Sequence, residues 1–222
     1  MIYAYVLDKY GMTKYEYVET EKYYTILPDL PQIPEKFLTT ENLNLGGTEH
    51  ATVILNPFDD VVRPDGKTVS PTITSWFPPD NLLKWLGVHV YNSLLFRKEN
   101  GRNSVVYRQV AAGPDSNFFP PHTDVFRHFT LLYNINDCGG DNYFWQEKGQ
   151  PIFRKSSPGI IKDYSTLDEL CHFKSPIRQW YLINNRIIHS VENLSAYRES
   201  IQIDCAGSDP IIKHLKPYFP KS

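Results

Sequence analysis

Residues 179–204 read QWYLINNRIIHSVENLSAYRESIQID, and this stretch decides the fold. It contains three strand-like segments, 179–184, 187–191 and 197–204, each as long as a typical strand. β-Branched and aromatic residues recur in these segments, and turn-forming residues such as Asn and Ser separate them. The stretch therefore predicts three successive strands rather than a helix.

Segments of the same kind continue this pattern back to Ser104, with Gly, Pro, Asn and Asp between them. The predicted strands are 104–111, 121–126, 128–135, 142–147, 159–163, 179–184, 187–191 and 197–204. Their spacing is typical of two-sheet β folds. Eight strands preceded by a helix predict a mainly β protein with flanking helices. Its core, over residues 104–206, would be a double-stranded β-helix, the jelly-roll architecture of cupins.

The first 103 residues are expected to support this core. Residues 15–19 alternate as a strand does, after a turn at 8–11, and residues 48–76 look like short strands. After Pro78 and Pro79, apolar residues at helical spacing predict one long helix over about 80–97. We expect residues 1–222 to form a single domain, with 1–103 as N-terminal strands and helix, 104–206 as the catalytic core and 207–222 as a C-terminal tail. The Tyr-rich first quarter indicates no function.

Composition excludes several classes of protein. The 222 residues are 41% hydrophobic and 22% charged, which is ordinary for a globular chain, and 17 Pro argue against a bundle of long helices. A net charge of −2 gives no electrostatic footprint for nucleic acid, and no apolar run approaches the roughly 18 residues of a membrane span. The three cysteines are far apart and lack a Cys-x-x-Cys motif, so we expect neither a disulfide framework nor a structural zinc site. No targeting sequence is evident at the start, so we expect a cytoplasmic protein.

His122-Thr123-Asp124 is the first candidate for a functional site. Residues i and i+2 of a strand point to the same face, so His122 and Asp124 are able to bind one ion. With 7 His and 25 acidic residues in 222, such a pair is expected about once by chance. His189 adds specificity because, unlike His128, His172 and His214, it lies in a strand-like run that is followed by a second strand carrying a strong anion binder, Arg198. Two histidines and one carboxylate form the facial triad of non-haem Fe(II) oxygenases.

Arg198 follows His189 by nine residues, across a turn-rich stretch at 192–196. If that stretch closes a hairpin, residues 189 and 198 become cross-strand partners on one face, with about 5 Å between their Cβ atoms. Arginine binds carboxylate through a planar fork, so Arg198 would hold the far end of a short dicarboxylate that chelates the metal. Ser200 lies on the same face. Simple alternation would instead bury Ile201 and Ile203 and expose Arg198; we favour a polar interior with the isoleucines under flanking helices.

These residues together resemble the 2-oxoglutarate- and Fe(II)-dependent dioxygenases, most closely their prolyl-hydroxylase-like branch. The resemblance covers residues 107–206. Residues 130–136 followed by Gly139-Gly140-Asp141 look like the branch's strand ending in Tyr-Leu-Asn and its Gly-Gly-Glu/Asp motif. Residues 174–176 leading to 180–183 resemble the strand before the distal histidine. The lead-in Val110-Ala111-Ala112-Gly113 departs from the Tyr-x-x-Gly of many relatives.

The resemblance implies a hydroxylase that uses Fe(II), 2-oxoglutarate and O2 and couples decarboxylation of 2-oxoglutarate to succinate with hydroxylation of a C–H bond. It implies metal binding by His122, Asp124 and His189. The substrate would be an unknown protein side chain or small molecule. The residues that it implies for cosubstrate binding are Arg198, Ser200 and Asn134. Asn134 stands where the branch often has a cosubstrate-binding tyrosine, and Tyr133 or Tyr107 would replace the hydrogen bond of that tyrosine. Arg127 and Trp145 are candidates for the substrate pocket.

Two other functions are compatible with the sequence. One is a non-catalytic metal-binding or interaction jelly roll that keeps the metal shell without turnover. The other is nucleic-acid demethylation, as in the AlkB-like branch. That branch has a second arginine six residues after the first, where this chain has Asp204, and the chain has no basic bias. We therefore expect neither nucleic acid nor a membrane as a partner.

Overall fold

The computed structural model describes residues 2–8, 11–17, 23–39, 43, 61–62, 68–69, 73–76, 78–90, 98–99, 102–103, 105–110, 118–124, 129–150, 161 and 163–205. The early strands are β1 (Ile2–Asp8), β2 (Gly11–Tyr17), β3 (Tyr24–Ile26), β4 (Val61–Val62), β5 (Thr68–Val69), β6 (Ile73–Trp76), β7 (Lys98–Glu99) and β8 (Arg102–Asn103). The later strands are β9 (Val105–Val110), β10 (Phe119–His122), β11 (Phe129–Asn134), β12 (Asp141–Glu147), β13 (Leu167–Lys174), β14 (Trp180–Asn184), β15 (Ile188–Glu192) and β16 (Arg198–Cys205). Helix α1 spans Asp80–His89, and two 3-10 turns span Glu35–Phe37 and Tyr164–Thr166. The predicted mainly β class is confirmed.

Two antiparallel sheets contain most of these strands. The large sheet has six strands in the order β3-β14-β11-β16-β9-β6, and the small sheet has four in the order β10-β15-β12-β13. The pairs are nested along the chain, because β9 pairs with β16, β10 with β15, β11 with β14 and β12 with β13. The second half of this region thus runs back along the first half. Three hairpins, β1-β2, β4-β5 and β7-β8, lie outside the two sheets.

Six of the eight predicted core strands coincide with observed strands, the predicted strand 121–126 overlaps β10 only at residues 121–122, and one was misplaced. Ile161 and Asp163 lie outside any strand, whereas the missed strand β13 begins only at Leu167. β13 is an edge strand, and its charged residues Asp168, Glu169 and Lys174 are exposed. Few of its side chains are fully buried, so its sequence lacks the apolar signal of a strand.

Helix α1 is shorter than predicted. It ends at His89, and the remainder of the prediction, from residue 91 to 97, lies outside the described residues. Its buried residues Leu82 and Leu86 pack against the large sheet, together with Leu27, Ile33, Leu38 and Leu43. The described helices include none with the length and apolar character that a membrane crossing requires.

The two faces of the large sheet differ in chemistry. Ile201 and Ile203 face α1 and are at most 1% exposed. Arg198, Ser200 and Gln202 alternate with them and face the small sheet. The predicted polar interior is therefore confirmed. The isoleucines lie under flanking structure, and the polar residues of β16 point between the sheets.

An aromatic cluster fills part of the space between the sheets. Leu132, Tyr181 and Ile183 of the large sheet contact Phe144 and Phe173 of the small sheet. Tyr23, just before β3, stacks on Phe144 with ring centroids 5.3 Å apart. Burying a large apolar side chain contributes about 1.5–3 kcal/mol, so this cluster holds the two inner faces together.

Gly139 and Gly140 bring the β15–β16 connection against the β11–β12 connection. Gly139 has φ +69°, and a Cβ there would approach the Oγ of Ser195 to 2.8 Å. A Cβ on Gly140 would lie 2.6 Å from Leu194. The N–H of Ser195 donates to the carbonyl of Cys138 at 2.8 Å. The two glycines thus permit the close approach that fixes the start of β16, where Arg198 lies.

We expect Gly139→Ala to destabilise the protein more than Gly149→Ala. Both glycines have positive φ, but a Cβ added at Gly149 would meet no atom within 4 Å, so that substitution costs about 1 kcal/mol of backbone strain. At Gly139 the added methyl also displaces the Ser195 hydroxyl from its bond to Cys138, at a further cost of about 1 kcal/mol. Urea unfolding of the two variants measures the difference. Equal losses would show that the close approach at Gly139 is unimportant.

Candidate metal centre

Three ligand-bearing side chains meet at one end of the small sheet. His122 is the last residue of β10 and lies directly opposite His189 of β15. The centroids of the two imidazole rings are 4.3 Å apart. Asp124 follows two residues after His122, and one ligand atom from each residue lies within 4.8 Å of the others. These three residues therefore form a group able to hold a metal ion.

The turn between β14 and β15 positions Asp124. The N–H of Asp124 donates to the carbonyl of Asn185 at 3.1 Å, and a carboxylate oxygen of Asp124 lies 3.7 Å from Nε2 of His189. Asn185 is fully buried, and its side-chain amide donates to the hydroxyl of Thr130 on β11. Because β15 begins directly after this turn, the same local structure places both the carboxylate and the distal histidine.

Backbone carbonyls fix the tautomer of both histidines. Nδ1 of His122 lies 2.8 Å from the carbonyl oxygen of Pro120, and Nδ1 of His189 lies 2.9 Å from that of Ile187. A carbonyl oxygen only accepts, so Nδ1 carries the proton in each neutral ring and Nε2 keeps its lone pair for a metal. Two imidazole nitrogens and one carboxylate, oriented in this way, fit the ligand set of an Fe(II) facial triad.

Aromatic rings surround the two histidines. The ring of Phe119 meets His122 edge-on at a centroid distance of 4.8 Å, and Phe144 lies 6.4 Å from His189. Phe119 and Phe144 are at most 6% exposed. These rings exclude water from one side of the group, and electrostatic interactions are stronger in such an environment.

A second polar group surrounds Arg198, which is 3% exposed. Its Nε donates to Oδ1 of Asn134 at 3.2 Å and its Nη1 to Oδ1 of Asn142 at 3.0 Å. Its Nη2 donates to the hydroxyl of Tyr181. All three acceptors are neutral, and none of the described carboxylates forms an ion pair with Arg198. An uncompensated buried guanidinium is costly and favours an anionic ligand.

Asn142 and Tyr181 are the residues of this group that the sequence did not indicate, and Tyr181 shows why. It lies on β14, all of whose residues are buried, so no alternation shows which side chains face Arg198. Its hydroxyl accepts from Arg198 and donates to Asn134 at 3.2 Å. Burial raises the pKa of Tyr181 above its usual value, although the nearby Arg198 opposes the shift. The hydroxyl therefore stays neutral and does not compensate the arginine.

The predicted hairpin between His189 and Arg198 is wrong. β15 belongs to the small sheet and β16 to the large sheet, so the two residues are not cross-strand partners. The turn-rich stretch between them crosses from one sheet to the other instead of folding back within one. Both residues still point into the space between the sheets, because His189 pairs with the inward Phe144 and Arg198 contacts Asn142 on the same strand, β12.

The predicted cosubstrate residues divide between the two faces of the large sheet. Asn134 and Ser200 are cross-strand neighbours on the Arg198 face, and Ser200 accepts from the amide of Gln202 at 3.0 Å. Tyr107 and Tyr133 lie on the opposite face, under α1 and the apolar side chains of Leu27, Ile33, Leu38 and Leu43. This corrects the expectation that the hydroxyl of Tyr107 or Tyr133 replaces the cosubstrate-binding tyrosine of the prolyl-hydroxylase-like branch. Burial, and after it Glu199, raises the pKa of Tyr107, and burial raises that of Tyr133, as expected for core residues.

Trp145, the substrate-pocket candidate within the described residues, does not join either polar group. Trp145 faces outward from the small sheet, where its indole donates to Ser190 at 2.8 Å and its ring packs with Ile161 and Leu167. It alternates with Phe144 on β12, so it lies on the face opposite His189. This corrects its assignment to the pocket. Arg127 lies outside the described residues.

Comparison with known proteins adds little. No protein-family model and no curated protein sequence matches the chain. Among solved structures, the chain is similar to the L-ribose isomerase of Cellulomonas parahominis determined with L-psicose, at 10% identity and a TM-score of 0.31. The alignment covers 64% of this chain and 63% of the isomerase.

Proposed function

We propose that this chain is an Fe(II)- and 2-oxoglutarate-dependent dioxygenase of the hydroxylase type. We further propose that β9 to β16 form the double-stranded β-helix core of such enzymes. The nested pairing of these eight strands across two sheets supports that description, since a jelly roll has this pairing.

The buried Arg198 is the observation that carries the proposal. A guanidinium with only neutral partners, enclosed between two sheets, requires an anion to balance its charge. Three of its five N–H groups are engaged, which leaves two for a carboxylate. A non-catalytic metal-binding protein has no need of such a cation, and an exposed arginine would have favoured that alternative.

The spacing of the metal group and Arg198 suits a short dicarboxylate. Asn142, which contacts Arg198, and Phe144, which lies opposite His189, are two residues apart on the inner face of β12. Two residues of a strand span about 6.8 Å. A five-carbon 2-oxo dicarboxylate bridges a gap of that order, with its keto-acid end at the metal group and its far carboxylate at Arg198.

The residues of the site would then have distinct roles. His122, Asp124 and His189 would hold the metal, with the carbonyls of Pro120 and Ile187 fixing the two imidazoles. Fe(II) and its cosubstrates supply the oxidising chemistry, in which 2-oxoglutarate, O2 and a C–H bond give succinate, CO2 and an alcohol. Phe119 and Phe144 keep water from that chemistry. The substrate would be a C–H bond in a protein side chain or a small molecule.

Anaerobic addition of Fe(II) and 2-oxoglutarate is expected to produce the weak visible charge-transfer band of the chelate. On admission of air, the protein is expected to convert 2-oxoglutarate slowly to succinate even without substrate. Absence of the band would contradict the proposal. A band without succinate would instead favour a binding protein that holds metal and cosubstrate without turnover.

A further inference from the structure

Two asparagine side chains, one from each sheet, orient Arg198. Asn142 of the small sheet and Asn134 of the large sheet are 4% and 1% exposed, and both present Oδ1 to the guanidinium. We propose that Asn142 is a positioning residue that aims Arg198 at the ligand while leaving its charge uncompensated, and so sets the preference for a carboxylate over a neutral group. That the ligand is 2-oxoglutarate rests on the function proposed above.

The amide of Asn142 is held at both ends. Its Nδ2 donates to Oγ of Ser175 at 2.7 Å, while its Oδ1 accepts from Nη1 of Arg198. Arginine has no acceptor, so the oxygen end of the amide must face it. Asn134 is held in the same way, since its Nδ2 donates to the carbonyl of Pro176 at 3.0 Å. Neither amide is able to turn its nitrogen toward Arg198 without losing these bonds.

A carboxylate in place of Asn142 would have almost the same shape and would form a stronger, charge-assisted bond with Arg198. It would also compensate the charge from within the protein, so a ligand carboxylate would meet a neutral ion pair and would suffer repulsion from the new carboxylate. The amide keeps the direction of the guanidinium without this competition. The advantage of Asn over Asp at this position is therefore ligand binding rather than stability.

Asn142→Asp is the test, with the metal-free full-length protein and two probes, glutarate and its monoamide glutaramate. Calorimetric or NMR titration is expected to show that the unchanged protein prefers glutarate. Asn142→Asp is expected to weaken glutarate binding about tenfold or more, to remove the preference and to raise the melting temperature, because a buried cation gains a counter-charge. Asn142→Ala is expected to weaken both probes about two- to threefold and to lower the melting temperature, because it removes the hydrogen bonds to Arg198 and to Ser175.

Gln146→Glu is a matched control. It makes the same amide-to-acid change on the same strand, where the half-buried side chain donates to the carbonyl of Gln150 in a solvent-exposed hydrogen bond. It is expected to keep the glutarate preference. The inference is overturned if Asn142→Asp binds glutarate as the unchanged protein does, if Asn142→Ala loses the preference as completely, or if the unchanged protein has no preference. A missing Fe(II)/2-oxoglutarate band beside an intact glutarate preference would refute the proposed function and leave this inference standing.

Discussion

Replacing His189 by Ala is expected to abolish tight metal binding and, with it, the charge-transfer band and succinate formation. His189 is 7% exposed, its Nε2 faces Asp124, and its ring lies against that of His122. Loss of a hydrogen bond behind a ligand typically costs about 10–100-fold in metal affinity, and loss of the ligand itself is expected to cost more than about 100-fold. Anaerobic titration with Fe(II), or with Mn(II) as a redox-stable substitute, measures the loss.

His172→Ala provides the matched control for this experiment. His172 lies on the edge strand β13, where Nδ1 pairs with Glu169 at 2.7 Å and more than half of the side chain is exposed. Its removal is expected to leave metal affinity unchanged. Because His189→Ala opens space in a buried site, the melting temperature of the metal-free variant should be measured as well. A folded His189→Ala protein that binds metal as tightly as the unchanged protein would contradict the proposed site.

The metal group was predictable from sequence because it depends on short-range geometry. His122 and Asp124 are two residues apart at the end of β10, and His189 lies in a short apolar run, so the sequence spacing indicated the three ligands. Asp124 itself lies just beyond β10 and is held by its backbone bond to Asn185. The structure brings the three together as expected. The carbonyls that fix the imidazoles, those of Pro120 and Ile187, are each two residues before the histidine, yet backbone direction at these positions is not readable from residue type.

The surroundings of Arg198 were less predictable because they depend on which sheet each strand joins. The turn-rich residues after His189 are compatible both with a hairpin and with a crossing between sheets, and the structure has the crossing. The faces of Tyr133 and Tyr181 depend on strand register, and a shift of one residue exchanges the two faces. In fully buried strands such as β14 no polar alternation marks the register, so Tyr181 was missed and Tyr133 or Tyr107 was predicted in its place.

Arg198→Met is expected to raise the KM for 2-oxoglutarate about 100-fold or more while leaving affinity for the metal alone unchanged. Each hydrogen bond between charged groups contributes about 1.5–3 kcal/mol, and the substitution removes two such bonds to the ligand. Arg198→Lys keeps the charge but loses the planar fork, so an intermediate loss is expected. The order Arg, Lys, Met in 2-oxoglutarate affinity would separate a ligand-binding role from a structural one, because a structural defect would weaken metal binding in parallel.

Arg178→Met is the control for that series. Arg178 forms an ion pair with Glu35 at 2.5 Å and donates to the carbonyl of Ile135, on the face of the large sheet away from the metal group. Its loss is expected to lower stability by about 1 kcal/mol without changing the KM for 2-oxoglutarate. If Arg198→Met changed only stability, as this control does, the buried cation would be a structural link between the sheets. The case for a dicarboxylate ligand would then fail, even with the metal group intact.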